Sequence, residues 1–416
     1  MEELFSLGEG PLKEDSLVEE PVAGFEAAAL AAGIRSDGRE DLALIAAREP
    51  VAAAGVFTRN RLVAAPVVVS RRHLATGRVQ AVLINSGCAN AATGQAGMEA
   101  CLDTCRQAAQ ALDCRPEEVL PCSTGVIGQL LPAEKITARL PELVERLAPE
   151  GLPQAAQAIR TTDAFVKMSR AECELSGRPV RVVGLAKGAG MIRPDMATML
   201  AFVLTDAAVA PAALDQVLRA AVEQSLNRIT VDGDTSTNDT TLLLASGRAG
   251  NPPLEPGHPE LGPLTEAVTA VCRHLGAMIV ADGEGAEHLV RVVISGAPDQ
   301  DTARALCYAI AHSPLCKTAF AGCDPNWGRL LSTTGAEAAR RGAAFDPDKT
   351  RLWIGEALIA QGAAWCGPEA EKLAAEVMRR PRYQVRLDLG LGGAYFWVLT
   401  SDLGHEYVTI NADYRT

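Results

Sequence analysis

Gln80-Ala81-Val82-Leu83-Ile84-Asn85-Ser86-Gly87 decides the fold class. The run is short, apolar and unbroken, as in a buried strand, and Ser86-Gly87 ends it in a loop. Beyond the loop, Leu102, Cys105, Ala109 and Leu112 recur at helical spacing, so residues 99–112 read as an amphipathic helix. The same alternation continues outward. Ile136, Leu140, Leu143 and Leu147 mark a helix that Pro141 must kink or split. Ser176-Gly177-Arg178-Pro179 reads as a turn between two strands, the second running from Val180 to Leu185. Leu214, Val217, Ala221 and Ser225 mark a helix opened by Pro211, and Leu264, Val268, Val271 and Leu275 mark another. Tyr383, Val385, Leu387 and Leu389 alternate with Gln384, Arg386 and Asp388, the pattern of a strand with one wet face. Hairpin signals and crossovers intermix, which predicts an α/β or α+β fold with mixed sheets covered by helices. Residues 1–22 are acidic and read as a loose arm or edge segment, and Gly250 to Pro263 as a surface loop or linker.

The chain has 416 residues, enough for two or three domains or two large halves of one fold. Apolar residues make up 48% and charged residues 22%, so a sizeable core is expected; with 4% aromatics it must be built from Ala, Leu, Val and Ile. With 39 basic against 51 acidic residues, a net of −12, nucleic-acid backbone binding is excluded as the main role, though a local basic pocket for a small anion is not. No apolar run has the length of a membrane span, and Met1-Glu2-Glu3-Leu4 lacks the basic-then-apolar start of a signal peptide. A cytosolic protein without membrane partners is the expectation. The 11 cysteines are an odd number without export signals, so buried thiols are expected rather than a disulfide framework. Cys101 and Cys105 sit one helical turn apart, but no second Cys/His pair has ligand spacing, so no structural metal is expected.

Several generic motifs fall away. Lys187-Gly188-Ala189-Gly190 has its lysine before the glycines, the reverse of a P-loop. Asp232, Asp234, Ser236 and Asn238 alternate like a calcium loop, but Thr237 stands where such a loop needs glycine. What remains is an excess of hydroxyl, amide and glycine clusters at strand ends: Asn85-Ser86-Gly87, Cys122-Ser123-Thr124-Gly125, Ala197-Thr198 and Asp234 to Asp239. Each alone reads equally well as a turn or cap. Together they suit a threonine nucleophile. Its hydroxyl must borrow a base, and its own α-amine serves once the chain is cut just before it.

Lys187-Gly188-Ala189-Gly190-Met191-Ile192-Arg193-Pro194-Asp195-Met196-Ala197-Thr198-Met199-Leu200 resembles the self-cleavage segment of the ornithine acetyltransferases of arginine biosynthesis, also called glutamate N-acetyltransferases. Seven further segments match in order: Gly55 to Thr58, Asn85 to Ala91, Ser123 to Gly128, Asn227 to Asp234, Asp282 to Gly285, Asp324 to Arg329, and Tyr407 to Thr416. The resemblance implies a self-processing mixed α/β fold of the Thr-nucleophile kind. The precursor would cut itself between Ala197 and Thr198 into intertwined fragments, 1–197 and 198–416, that assemble as a heterotetramer of two of each. By the same resemblance, Thr198 is the nucleophile. Thr124 and Gly125 form the oxyanion hole. Thr161, Lys187, Thr198, Glu284, Asn411 and Thr416 contact substrate. Cys88, Arg193, Asp195 and Cys323 depart from the common pattern, and Arg193 and Asp195 lie close to the scissile bond.

The implied activity moves acetyl from N-acetyl-L-ornithine to L-glutamate through acetyl-Thr198, with no cofactor. Whether acetyl-CoA also serves as donor stays open, since no residue or fingerprint separates the two cases. Lys187 reads either as a strand-end charge or as the partner of a substrate carboxylate. Glu284 reads either as a loop acid or as the partner of a substrate ammonium. Asp324 to Arg329 reads as structural: Pro325 and Gly328 set a turn, Trp327 packs and Arg329 pairs with an acid. The competing readings are a Thr-nucleophile amidase or aminopeptidase that gives the acyl group to water, and an unprocessed small-molecule-binding protein.

Overall fold

The computed structural model describes residues 16–193 and 199–413. Ala197, Thr198 and Thr416 lie outside the described residues, as do residues 1–15. The chain divides into two units, one of residues 1–227 and 234–279 with 415–416, the other of residues 228–233 and 280–414.

The first unit is built on β1 (Glu26–Leu30), β2 (Leu42–Phe57), β3 (Arg78–Asn85), β4 (Val119–Ser123), β5 (Lys167–Leu175), β6 (Arg178–Lys187), β7 (Leu200–Thr205) and, after the short β8 (Ile229–Thr230) of the other unit, β9 (Thr240–Ala245). They pair in the order β4-β3-β2-β9-β7-β6-β5, with β1 also on β2. Strand β2 does two jobs. Its first half pairs with β3 (Leu42 opposite Asn85) and its second with β9 (Phe57 opposite Thr240), with a register break between Ala46 and Val51. Ile45, Val82 and Ile84 from one half of the sheet share a core with Leu185, Phe202, Leu242 and Leu244 from the other. Ala81 and Leu83 face the opposite way, into a second core with Leu44, Cys101, Cys105, Ile136, Leu140 and Leu143. Both faces of β3 are therefore covered, which is why its sequence is continuously apolar.

Helices close the outer faces. The helix predicted at 99–112 spans Gly94–Leu112, and Pro141 does split the next one, into Ala133–Thr137 and Leu140–Glu145. Pro211 opens the helix Pro211–Glu223. The hairpin of β5 and β6 turns at Ser176 and Gly177, whose φ angles of 51° and 71° give the left-handed turn that twisted strands favour. The helix Leu261–Ala281 lies over β6. A Cβ on Gly184 would stand 2.5 Å from Val271 and 2.8 Å from Leu275, so glycine permits that approach. This helix is long and apolar enough to cross a membrane, but 72% of its apolar window is buried inside the protein. Of the acidic arm, Ser16 bonds the Met168 carbonyl, and Val18 and Val22 are buried, so the segment is an edge piece from Ser16 onward.

The second unit adds β10 (Leu289–Ala297), β11 (Arg351–Ile354), β12 (Ala357–Gln361), β13 (Ala364–Trp365), β14 (Arg382–Asp388) and β15 (Ala394–Ser401), ordered β13-β12-β11-β14-β10-β15-β8. It is mixed: β10 runs parallel to β14 and antiparallel to β15. Tyr383, Val385 and Leu387 enter the core, while Gln384, Arg386 and Asp388 stay half-exposed, as the alternation predicts. Asp324 to Arg329 is structural, as expected, and only the partner of Arg329 differs. The Asn326 side chain caps the helix Trp327–Arg341 by accepting from Arg329 N at 3.2 Å, because that helix needs a first-turn acceptor. Trp327 packs against the core, and the Arg329 guanidinium donates to the Leu315 carbonyl at 2.9 Å rather than to an acid.

Candidate active site

The loops that leave β3 and β4 lie against each other. Thr124 N donates to the Asn85 carbonyl at 3.0 Å and Ala89 N to that of Val126 at 3.0 Å. Gly125 makes the closeness possible. Its φ is +127°, and a Cβ there would stand 2.4 Å from the Gly87 carbonyl carbon. Side chains fix the same loops: Ser123 Oγ donates to Asn85 Oδ1 at 2.6 Å, and Asn85 Nδ2 to the Cys88 carbonyl at 2.9 Å. Asn238, from the segment entering β9, donates to the carbonyls of Ala89 at 2.6 Å and Ser123 at 2.9 Å. These bonds gather the ends of β3 and β4 and the start of β9 in one place.

Lys187 closes β6 and donates from Nζ to Thr124 Oγ1 at 3.1 Å. Accepting that bond leaves the Thr124 hydroxyl proton available to donate. The neighbouring Gly125 N–H meets no acceptor among the described residues. Lys187 also stands directly opposite Leu200 of β7, and Thr240 N donates to the Met199 carbonyl at 2.9 Å. The chain that leaves β6 at Lys187 therefore returns beside it, immediately after the Ala197-Thr198 bond.

Asp163 ties Thr161 to this place. Its carboxylate accepts from Thr161 N at 2.9 Å, from Gly188 N at 2.6 Å and from Lys167 Nζ at 2.7 Å. Burial alone would raise this carboxyl, but the charges of Lys167 and Lys187 and the Lys167 bond outweigh it and hold it well below the usual range. Asp239 is the opposite case. It is buried, and its Oδ2 has no hydrogen-bond partner among the described residues. Burial pushes its carboxyl well up, against lowering by Ser236, Lys187 and Thr58.

In the second unit, Asn411 Nδ2, on the exposed helix His405–Asp413, donates to Glu284 Oε2 at 2.7 Å. The structure thus brings Thr124, Gly125, Thr161 and Lys187 together in one unit, and Glu284 and Asn411 together in the other. Asp163, Asp239 and Asn238 were not singled out from sequence. Asn238 and Asp239 lie in a cluster that was, but nothing in Thr161-Thr162-Asp163 sets it apart from a turn.

A lysine, an available hydroxyl and an uncommitted peptide N–H, converging where a chain passes close by, are the means by which an enzyme stabilises a carbonyl under attack. Such an arrangement is of the kind that enzymes of acyl chemistry use. The sequence model of the ArgJ family matches residues 26–416. The arginine biosynthesis bifunctional protein ArgJ of Methylococcus capsulatus is 46% identical over 396 residues, covering 95% of this chain and 96% of its own. The protein of the same name from Geobacter sulfurreducens is 45% identical over 395 residues, covering 95% and 100%. Among solved structures, the ornithine acetyltransferase of Mycobacterium tuberculosis complexed with ornithine is 41% identical, over 43% of this chain and 97% of that one, with a TM-score of 0.39. The chain belongs to the ArgJ family and is an enzyme of arginine biosynthesis.

Proposed function

We propose that the protein transfers acetyl from N-acetyl-L-ornithine to L-glutamate through an acetyl ester on Thr198, after cutting itself between Ala197 and Thr198. The observation that carries this is the Lys187–Thr124 contact of 3.1 Å beside the uncommitted Gly125 N–H, at the strand pair that receives the chain just after Thr198. In the precursor, Thr198 Oγ attacks the Ala197 carbonyl. Thr124 and Gly125 donate to the oxyanion, each donor contributing about 3 kcal/mol. Hydrolysis of the ester frees the Thr198 amine, which serves as base in turnover. The acetyl group then passes from amide to Thr198, ornithine leaves, and glutamate collects it. Exchange of one amide for another needs little net free energy, so neither ATP nor a cofactor is called for.

Lys187 suits the α-carboxylate of either substrate, and Glu284, held by Asn411, suits an ammonium. By the resemblance, Thr161 and Thr416 are further substrate contacts. The fragments pair as two of each, giving a native mass of about 87 kDa, twice 43.7 kDa, in the cytosol. The test is incubation of the purified protein with N-acetylornithine, with and without glutamate. N-acetylglutamate formed only when both are present supports the transfer. Acetate released at the same rate without glutamate overturns it in favour of an amidase. One band near 43.7 kDa on a denaturing gel, with no transfer, overturns it in favour of a binding protein. A further arm with glutamate and acetyl-CoA alone decides whether the thioester is a second donor.

A further inference from the structure

A second group of reactive side chains lies in the second unit. Cys323 follows the helix Pro314–Ala321, and its backbone is held in the left-handed region at φ 48°. It is half-buried. Its Sγ stands 3.8 Å from His288 Nε2 and 3.4 Å from the Met378 carbonyl. His288 Nδ1 is 2.9 Å from Asp402 Oδ2, and Asp402 Oδ1 accepts from the backbone N–H groups of Glu287 and His288. Burial works against the Asp402 charge, but these bonds outweigh it and hold the carboxyl below its ordinary range. An ionised carboxylate at Nδ1 keeps the proton there and turns the lone pair of Nε2 to the thiol. This is the base-and-orienter arrangement that activates a nucleophile.

Tyr383 supplies an independent sign. Its ring meets His288 edge-on at 6.0 Å, it is 4% exposed, and its hydroxyl has no hydrogen-bond partner among the described residues. Burial, then the charges of Asp402 and Cys323, push this phenol up, so it stays a donor. A buried donor left unmatched is unfavourable, and a ligand oxygen at this place would satisfy it. A cleft of about 580 Å³ has Asp402 and Gly322, the residue before Cys323, in its wall, whereas Cys323, His288 and Tyr383 do not line it.

We propose that Cys323, His288, Asp402 and Tyr383 form a thiol site that reduces hydrogen peroxide and is itself oxidised to a sulfenic acid. The thiol proton passes to His288 Nε2. Sγ attacks one peroxide oxygen, the S–O bond forms and the O–O bond breaks. The departing hydroxide takes the proton from Nε2 and leaves as water, with the Tyr383 hydroxyl donating to the oxygen in transit. Cysteine loses two electrons and peroxide gains them; one small thiol then condenses with the sulfenic acid, releasing water, and a second displaces Cys323 from the mixed disulfide, restoring the resting state. The base is essential because burial pushes the Cys323 thiol up, ahead of the lowering by Arg379. The Asp402 carboxylate that orients His288 also fastens the backbone at Glu287, close along the chain to Glu284.

The test uses the natural protein, one equivalent of hydrogen peroxide, dimedone to trap sulfenic acid, and peptide mass mapping. The exposed Cys366 serves as the unassisted reference. With His288 as its base offsetting the raised thiol, Cys323 is expected to be trapped about tenfold or more faster than Cys366. His288→Gln should slow Cys323 by about a hundredfold, the share of a general base, and leave Cys366 unchanged. Tyr383→Phe removes only an unmatched hydroxyl and should slow Cys323 severalfold, without disturbing the fold. Trapping of Cys323 no faster than Cys366 in the natural protein overturns the proposal, whatever the fate of the variants. So does an unchanged rate in a folded His288→Gln protein.

Discussion

Asp163 and Lys167 are both fully buried, and the carboxylate of the first serves Thr161, Gly188 and Lys167 at once. Asp163→Asn keeps the volume but leaves the Lys167 ammonium without its counter-charge, at a cost of about 3–5 kcal/mol. A lower urea midpoint at pH 7 is the expected result. The sign with pH follows from the direction of the shift. A carboxyl depressed in the folded state contributes stability above its unfolded pKa of about 4 and loses it as the pH falls further. The gap in midpoint between natural and variant protein should therefore close on acidification below about pH 4; a gap that stayed constant would contradict an ionised Asp163. Thr198 and Glu284 separate cutting from turnover. Thr198→Ala removes the attacking atom, so neither cleavage nor transfer should survive, whereas Thr198→Ser should retain slow versions of both. Glu284 is bonded by Asn411, apart from the scissile segment in sequence. Glu284→Ala should still cut itself and should show a raised KM with kcat less affected. An uncut Glu284→Ala precursor would place Glu284 in the cleavage machinery instead.

The loops after β3 and β4 are the elements on which the proposed oxyanion hole depends, and Gly125 is where they meet. Gly125→Ala combines a φ of +127° with a Cβ 2.4 Å from backbone carbon, so the two loops must part and the Gly125 N–H must move. Loss of one well-placed donor lowers kcat by about 10²–10³, which single-turnover acetylation of Thr198 would measure. A variant within a factor of about three of the natural protein would show that this N–H is no oxyanion donor. Elements of this kind were legible from residues to different degrees. Strand β3 could be read because both its faces are covered, Val82 and Ile84 in one core and Ala81 and Leu83 in the other. The helix Leu261–Ala281 was legible only between Leu264 and Leu275, because Gly262 and Pro263 read as loop and the turns from Leu275 to Ala281 are buried on every side, so they carry no periodicity. That β2 runs unbroken across Arg48 to Pro50 could not be read, since two charged residues and a proline between apolar runs are also the mark of an ordinary turn between two strands. The site divides the same way. Hydroxyl and amide clusters at strand ends announced a site, but Asp163 and Asp239 matter only because folding buries them.

For the whole molecule, the proposed cut and the sheet pull in opposite directions. A break between Ala197 and Thr198 leaves β1 to β6 in one fragment and β7 to β15 in the other, yet β6 pairs with β7 along Val182 to Lys187, and β2 pairs with β9 along Ala52 to Phe57. Parting the fragments would bare both of those strand edges. It would also open the core in which Ile45, Val82 and Leu185 from the first fragment pack with Phe202, Leu242 and Leu244 from the second. Burial of each such side chain is worth about 1.5–3 kcal/mol, so the six together outweigh the freedom gained on separation. The cut protein should therefore elute as one species in native size exclusion and melt in one transition. A denaturing gel should resolve it into pieces of about 21 and about 23 kDa, their shares of 43.7 kDa. Edman sequencing of the larger piece should begin Thr-Met-Leu-Ala, which is Thr198 to Ala201. Fragments that separated under native conditions would mean that the two do not share one sheet in solution. A different first residue would move the nucleophile away from Thr198.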